Sequence, residues 1–156
     1  MNASLLPARH NLALLLAADK ARQAEAISLL RENLRGSADY LPSRLSLAET
    51  LAASGDNAAA IEEYRRVLAD KPAYVAARLA LAQLLVKTGN AEGALAELRT
   101  ASTGDAQNPD VLEQIGDLES GRGRKIEALA AYDAAAKVTA DSAARKRLGR
   151  KIRALN

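Results

Sequence analysis

The 156-residue sequence contains no cysteine, phenylalanine or tryptophan, and it has one methionine and one histidine. The lack of cysteine excludes disulfide bonds, catalytic thiolates and thiolate metal ligands, so apolar packing must stabilise the fold. It is also compatible with a reducing compartment, and we expect a cytoplasmic protein. The longest apolar run, Leu12 to Ala18, is far shorter than the roughly 20 residues that a membrane-spanning helix needs.

The residues that are abundant favour helices. The sequence has 36 alanines and 25 leucines but only 10 valines and isoleucines together, and alanine and leucine are the strongest apolar helix formers. Proline, which interrupts helices, occurs only four times. The composition therefore predicts an all-α protein, and its length predicts one domain, residues 1–156.

A shift of 34 residues superimposes three stretches of the chain without insertion or deletion. It relates three glycines, three alanines and three bulky residues: Gly55, Gly89 and Gly123; Ala60, Ala94 and Ala128; Tyr64, Leu98 and Tyr132. It also relates three large-small pairs, Leu47-Ala48, Leu81-Ala82 and Ile115-Gly116, which are followed by Leu51, Leu85 and the discordant Glu119. Chance periodicity in a four-helix bundle is the alternative, but a threefold match in phase argues against it.

The residue types at these repeated positions, which we call columns, have physical reasons. Two antiparallel helices approach closely only where one offers a small residue, while bulky residues fill the space beside it. Glycine at the end of a helix accepts the positive φ that reverses the chain within a few residues. The columns therefore predict helix hairpins at residues 8–18 and 22–34, 42–53 and 57–70, 74–87 and 91–103, and 109–121 and 124–139.

This pattern resembles the tetratricopeptide repeat, a 34-residue helix-turn-helix unit. The sequence departs from the family at the opening tryptophan-like position, which holds Arg44, Arg78 and Leu112, and the closing proline is present only as Pro72. In the first repeat Ala21 replaces the turn glycine. The resemblance implies an α-solenoid of antiparallel helix pairs in a right-handed superhelix, with repeats at 7–40 (degenerate), 41–74, 75–108 and 109–142 and a capping helix at 143–156.

In this family the first helix of each repeat lines the concave wall that binds partners. The resemblance places eleven side chains on that wall: Asn11, Leu15, Leu45, Glu49, Ala52, Leu79, Gln83, Val86, Glu113, Asp117 and Ser120. Such a groove, acidic towards its C-terminal end, would prefer a protein or peptide segment that carries apolar and basic residues. Alternatively, the carboxylates only keep the surface soluble.

The family's best known groove chemistry, a cationic clamp for a terminal carboxylate, is missing. Its positions fall on Leu45, Glu49, Ala80, Asp110 and Gln114, or one repeat earlier on Asn11, Leu15, Ser46, Ala76 and Ala80. None of these residues is cationic, so we predict that the protein does not bind chaperone tails of that type.

Basic residues concentrate at the C-terminal end. Residues 1–121 hold 12 basic and 16 acidic side chains, whereas residues 122–156 hold 10 and 3. Six form the predicted basic surface of the capping helix: Arg145, Lys146, Arg147, Arg150, Lys151 and Arg153. This surface could bind an anionic membrane, an acidic protein or RNA, but RNA is disfavoured because no aromatic side chain lies among the charges to stack on a base.

The sequence offers little for catalysis. His10 is more readily a packing or surface residue than a catalyst, and Glu113 and Asp117, one helical turn apart, make only a weak cation site. We therefore predict no catalytic residue, metal or cofactor, and a protein-binding scaffold that is a monomer or weak homodimer. The open alternatives are a docking or regulatory region of a larger multidomain protein or enzyme, and anion binding through the basic helix.

Overall fold

A computed structural model of the chain describes residues 5–104 and 108–156, which form nine α-helices and no strand. The helices are α1 Leu5–Ala17, α2 Gln23–Gly36, α3 Leu41–Ser54, α4 Asn57–Asp70, α5 Val75–Lys87, α6 Ala91–Gly104, α7 Pro109–Gly121, α8 Lys125–Val138 and α9 Ser142–Leu155. These bounds confirm the predicted all-α class. Only α1 starts as much as three residues early, because Pro7 lies in its first turn, where a missing N–H costs nothing.

The helices pack as two compact units, Met1–Leu84 and Leu85–Asn156, and the boundary falls within α5. In the first unit α1 packs on α2, α2 on α3, and α3 on α4. Its core consists mainly of leucines and alanines from these helices, together with one tyrosine and one valine: Ala13, Leu16, Ala26, Leu30, Leu47, Ala48, Leu51, Ala60, Tyr64 and Val67. The predicted single domain stays a prediction.

In the second unit α6 packs on α7, α7 on α8, and α8 on α9. Part of its core is a cluster of four buried residues, Ala128, Tyr132, Ala135 and Leu148. Leu148 belongs to α9 and lies with Ile152 and Leu155 against the α8 residues of this cluster. The last helix therefore covers the apolar side of α8, as expected of a cap.

The reversals between paired helices occur where the repeated glycines lie. Gly55, Gly89 and Gly123 have φ angles of 92°, 83° and 72°, a region that glycine enters without steric cost. Where Ala21 replaces the glycine, the chain turns instead through a 3-10 helix, Lys20–Arg22, and the Asp19 carboxylate accepts a hydrogen bond from the Ala21 N–H. A capping carboxylate therefore replaces the left-handed residue in the first hairpin.

A polar cluster that the repeat pattern does not predict ties α1, α2 and α3 together. The Asn33 side chain is fully buried, and its Nδ2 donates to the Leu6 carbonyl and to Ser43 Oγ, both at 3.0 Å. Arg9 Nη1 donates to Asn33 Oδ1 at 3.1 Å. Since each polar group of the buried amide has a partner, its desolvation is compensated.

His10 lies beside this cluster. Its Nδ1 is 3.4 Å from Ser43 Oγ, and its ring meets the Tyr40 ring edge-on at 6.0 Å. Burial lowers the pKa of the imidazole below its usual value. In this structure His10 is a packing residue.

Glu119, the discordant residue of the repeat, is 1% exposed. Arg99 Nη2 donates to its Oε1 at 2.8 Å, and Arg122 and Arg124 lie within 4 Å of its Oε2. Three guanidinium groups replace the apolar contacts that Leu51 and Leu85 provide at this position in other repeats. Charge pairing therefore lets a carboxylate occupy a core column.

Two helical glycines provide a matched test of the packing. A Cβ added at Gly116 would lie 2.4 Å from the Tyr132 ring, whereas one added at Gly149 meets nothing closer than Arg153 Nη1 at 3.7 Å. We expect Gly116→Ala to destabilise the protein by about 1–3 kcal/mol through overpacking. Gly149→Ala should stabilise it by about 0.5–1 kcal/mol, because alanine is the better helix former.

Urea denaturation of the two variants at neutral pH measures both effects. Equal stabilities for the two variants would contradict the close approach of α7 and α8 at Gly116.

Candidate functional site

The predicted groove residues of the first unit lie on adjacent first helices. α1 contacts α3 directly. Leu15 is 74% exposed, Asn11 and Glu49 are exposed, and Leu45 is half-buried. We call these four residues the α1–α3 surface.

Additional leucines that the groove prediction did not include are exposed on the same first helix. Leu5, Leu12 and Leu14 of α1 are each exposed by more than two fifths. Periodicity does not identify them, because leucine or alanine occupies every position from Leu12 to Ala17 and no stripe of polar residues marks the exposed side of the helix.

Glu49 is the charged member of the α1–α3 surface. Although the residue as a whole is exposed, partial burial of its carboxylate raises its pKa. The pKa of the buried Tyr64 hydroxyl is raised to about 12 by burial and then by the charge of Glu49. Glu49 is therefore a partly desolvated carboxylate that a basic ligand would stabilise in its ionised form.

The predicted groove residues of α5 belong to both units. Leu79, which is half-buried, and Gln83, which is exposed, lie in the first unit. Val86, 44% exposed, lies in the second. Their role in binding stays a prediction.

Glu113 and Asp117 are not free carboxylates, because α9 supplies their counter-charges. Arg147 Nε and Nη2 donate to the two Glu113 oxygens at 2.8 and 2.6 Å. Lys151 Nζ donates to Glu113 Oε1 at 2.8 Å and to Asp117 Oδ1 at 2.6 Å. Tyr132 completes this Glu113 cluster: its hydroxyl donates to Asp117 Oδ1 at 2.7 Å, and Lys151 Nζ lies 5.4 Å from its ring centre.

The cluster changes the acidity of its members. The hydrogen bonds from Arg147, opposed by burial and reinforced by Lys151, lower the pKa of Glu113 to about 2. Burial and the hydrogen bond to Asp117 raise the pKa of Tyr132. The cluster is therefore a set of two carboxylates and two cations that pair with one another.

This arrangement divides the predicted basic surface. Arg147 and Lys151 face the Glu113 cluster, and Arg145 Nη2 donates to the Thr139 carbonyl at 2.6 Å. Lys146, Arg150 and Arg153 have no acidic partner among the described side chains, and all three are exposed. Arg147 and Lys151 each follow their partner carboxylate by 34 residues, a spacing that agrees with the pairing but does not by itself specify it.

The described residues contain no group of three or more side chains suited to a metal ion. The cation that Glu113 and Asp117 share is the Lys151 ammonium. Over the same described ranges, none of the helices has the length and hydropathy required to span a bilayer.

Successive antiparallel hairpins with left-handed glycines at their turns define a helical-repeat protein. Residues 51–115 match the family model of the tetratricopeptide repeat. The resemblance to the tetratricopeptide repeat that the sequence indicated is therefore confirmed.

Three solved structures illustrate the likeness. The crystal structure of MamA has a TM-score of 0.75 at 18% identity, over 87% of this chain and 78% of that one. A tetratricopeptide repeat protein from Parabacteroides merdae has a TM-score of 0.80 at 16% identity, over 94% of this chain and 60% of that one. The Yersinia enterocolitica type III secretion chaperone SycD, in complex with a peptide of the translocator YopD, has a TM-score of 0.69 at 18% identity, over 76% of this chain and 94% of that one.

At these identities the likeness shows the fold, and it confirms the predicted α-solenoid class. The comparison with curated proteins gives no match. The fold suggests a scaffold for protein–protein interaction, and proteins of this family are typically non-enzymatic.

The Glu113 cluster makes stability depend on pH. Because the folded-state pKa of Glu113 is lowered to about 2 from 4.5, its contribution is present above pH 4.5 and is lost as the pH falls towards 2. We expect Glu113→Gln to lower the free energy of unfolding by roughly 2 kcal/mol at pH 7. Near pH 2–3 the variant and the wild type should differ less, because the wild-type ion pairs are then lost by protonation of Glu113.

Urea denaturation at several pH values between 2.5 and 7 measures this dependence, with the exposed Glu127→Gln as the control. A penalty for Glu113→Gln that is the same at pH 3 and pH 7 would show that the ion pairs contribute nothing.

Proposed function

We propose that this protein is a protein-binding scaffold whose α1–α3 surface holds a segment of a partner protein. The observation that carries the proposal is the combination of Leu15, 74% exposed, with neighbouring first-helix side chains on α3. An exposed apolar surface beside a charged residue is the usual composition of a peptide-binding groove.

The partner segment is expected to carry apolar residues and at least one basic residue. Leu15 and Leu45 supply apolar contact, and Glu49 supplies a partly desolvated carboxylate. With Glu113 and Asp117 held in internal ion pairs, the preference for a basic residue depends on Glu49. The same surface would serve as the docking region if the chain is part of a larger protein or enzyme. The cytoplasmic location and the monomeric or weakly dimeric state remain predictions.

A chaperone-type acidic tail should not bind. The α1–α3 surface has no cation that could receive a terminal carboxylate, and Glu49 would repel one. In isothermal titration calorimetry we expect no saturable heat from a peptide ending in an acidic tail at 100 µM protein. Micromolar affinity for such a peptide would show that this surface is assigned the wrong chemistry.

Selection from a displayed random-peptide library tests the proposal directly. We expect the wild-type protein to enrich peptides that combine leucine-like and basic residues. Glu49→Lys should remove the enrichment of basic residues, because it replaces the attracting carboxylate with a like charge. Leu15→Ser should weaken the selected peptides by about tenfold, the effect of losing one buried apolar side chain.

Glu62→Lys is the matched control, since Glu62 is an exposed α4 carboxylate whose ion pair is a local one with Arg65. All variants must show wild-type circular dichroism. If Glu49→Lys and Glu62→Lys select the same peptides as the wild type, partner binding does not occur at the α1–α3 surface.

A further inference from the structure

The last helix repeats the features of a first helix of a repeat, at an interval of 33 residues instead of 34. Asn108 caps α7 by accepting a hydrogen bond from the N–H two residues later, and Asp141 caps α9 in the same way. The pair Leu148-Gly149 follows Ile115-Gly116 at the same interval, and Leu148 is in the core. α9 is therefore built as the opening helix of a further hairpin.

A hydrogen bond shared by three helices supports this assignment. Arg44 and Arg78, at the opening position of their repeats, each donate to the carbonyl six residues earlier, Ala38 and Pro72. Arg145 makes the same bond to the Thr139 carbonyl. The register of α9 thus agrees with that of α3 and α5 in structure as well as in sequence.

In a complete hairpin the small residue of the first helix receives a bulky side chain from the second. At Gly116 that side chain is Tyr132 of α8, whose ring lies within 2.4 Å of where a Cβ would be. At Gly149 the corresponding space holds only the end of the Arg153 side chain, 3.7 Å from the Cβ position. The notch at Gly149 is therefore open among the described residues.

The surroundings of this notch are cationic. A surface depression of about 520 Å³ runs along one side of α9 and is lined by six residues: Ser142, Arg145, Lys146, Gly149, Arg150 and Arg153. We call this lining the α9 outer face. By the 33-residue interval, Glu113, Asp117 and Ser120 of α7 correspond to Lys146, Arg150 and Arg153.

The change from acidic residues on α7 to basic residues on α9 indicates what kind of helix could pack on α9. In the α7–α8 hairpin the Tyr132 hydroxyl donates to the Asp117 carboxylate. At the matching position of α9 the side chain is Arg150, a donor that requires an acceptor. A helix packed here must therefore present carboxylates around a bulky residue.

We propose that the α9 outer face binds an acidic amphipathic helix of a partner protein, which packs on α9 as the second helix of a repeat packs on the first and inserts a bulky side chain at Gly149. Carboxylates on that helix pair with Lys146, Arg150 and Arg153. This surface shares no residue with the α1–α3 surface, so the two proposals stand or fall separately.

The test uses a helix whose shape is already matched to this contact. The probe is a fluorescein-labelled peptide of residues 125–138, the α8 sequence, with Lys125→Glu and Lys137→Glu to make it acidic. We expect saturable binding by fluorescence anisotropy with a Kd on the order of 10–100 µM, weakened because a 14-residue helix is marginal in water. Gly149→Leu, which fills the notch without touching the charges, should weaken binding at least tenfold.

Charge reversal tests the second element of the site. Lys146→Glu/Arg150→Glu/Arg153→Glu should abolish binding of the acidic peptide, whereas Arg31→Glu/Arg35→Glu/Lys137→Glu, three exposed cations elsewhere, should leave its Kd within twofold. A peptide that also carries Tyr132→Ala should bind at least fivefold more weakly. Circular dichroism of each protein variant confirms that α9 remains folded.

Two results would overturn the proposal. One is the absence of peptide binding by the wild-type protein. The other is that charge reversal abolishes peptide binding while Gly149→Leu does not weaken it, and that the wild-type protein retains polyuridylate or phosphatidylserine vesicles as well as it retains the acidic peptide. That second result would make the α9 outer face a general anion-binding surface.

Discussion

The fold depends on the close approach of paired helices at one small residue opposite one bulky residue. Gly116 and Tyr132 show how tight this approach is, since not even a methyl group fits between them. Ala48 and Tyr64 occupy the same columns in the α3–α4 hairpin, and both are buried. Because this contact recurs within the hairpins, each repeat holds its two helices together by its own small-to-bulky contact. Repeats can therefore be added to the array without one hydrophobic core that all of them share.

This contact also explains which parts of the fold could be predicted from the sequence. The columns of small and bulky residues and the glycines at 55, 89 and 123 follow from local geometry, so helix order and bounds could be predicted to within three residues. The polar cluster of Asn33 could not, because it joins residues from three helices that no 34-residue shift relates. Glu119 was visible as an exception to the pattern, but its partner Arg99 comes from α6 and is brought to it only by tertiary packing.

The candidate surfaces could be predicted in position but not in charge. Family resemblance places Glu113 and Asp117 on a first helix, and that placement is compatible with the structure. What the pattern did not reveal is that Arg147 and Lys151 reach back from α9 to neutralise them. Part of the apparent acid–base asymmetry between the two ends of the chain is thus internal pairing, because long cationic side chains reach partners on neighbouring helices.

The carbonyl groups that accept hydrogen bonds from Arg44, Arg78 and Arg145 lie in the loops before the three helices. The three loops have different sequences, yet each is held by a guanidinium from the helix that follows it. Each loop therefore does not require a particular turn sequence to hold its conformation. Such loops are free to diverge in composition, as the acceptor residues Ala38, Pro72 and Thr139 show.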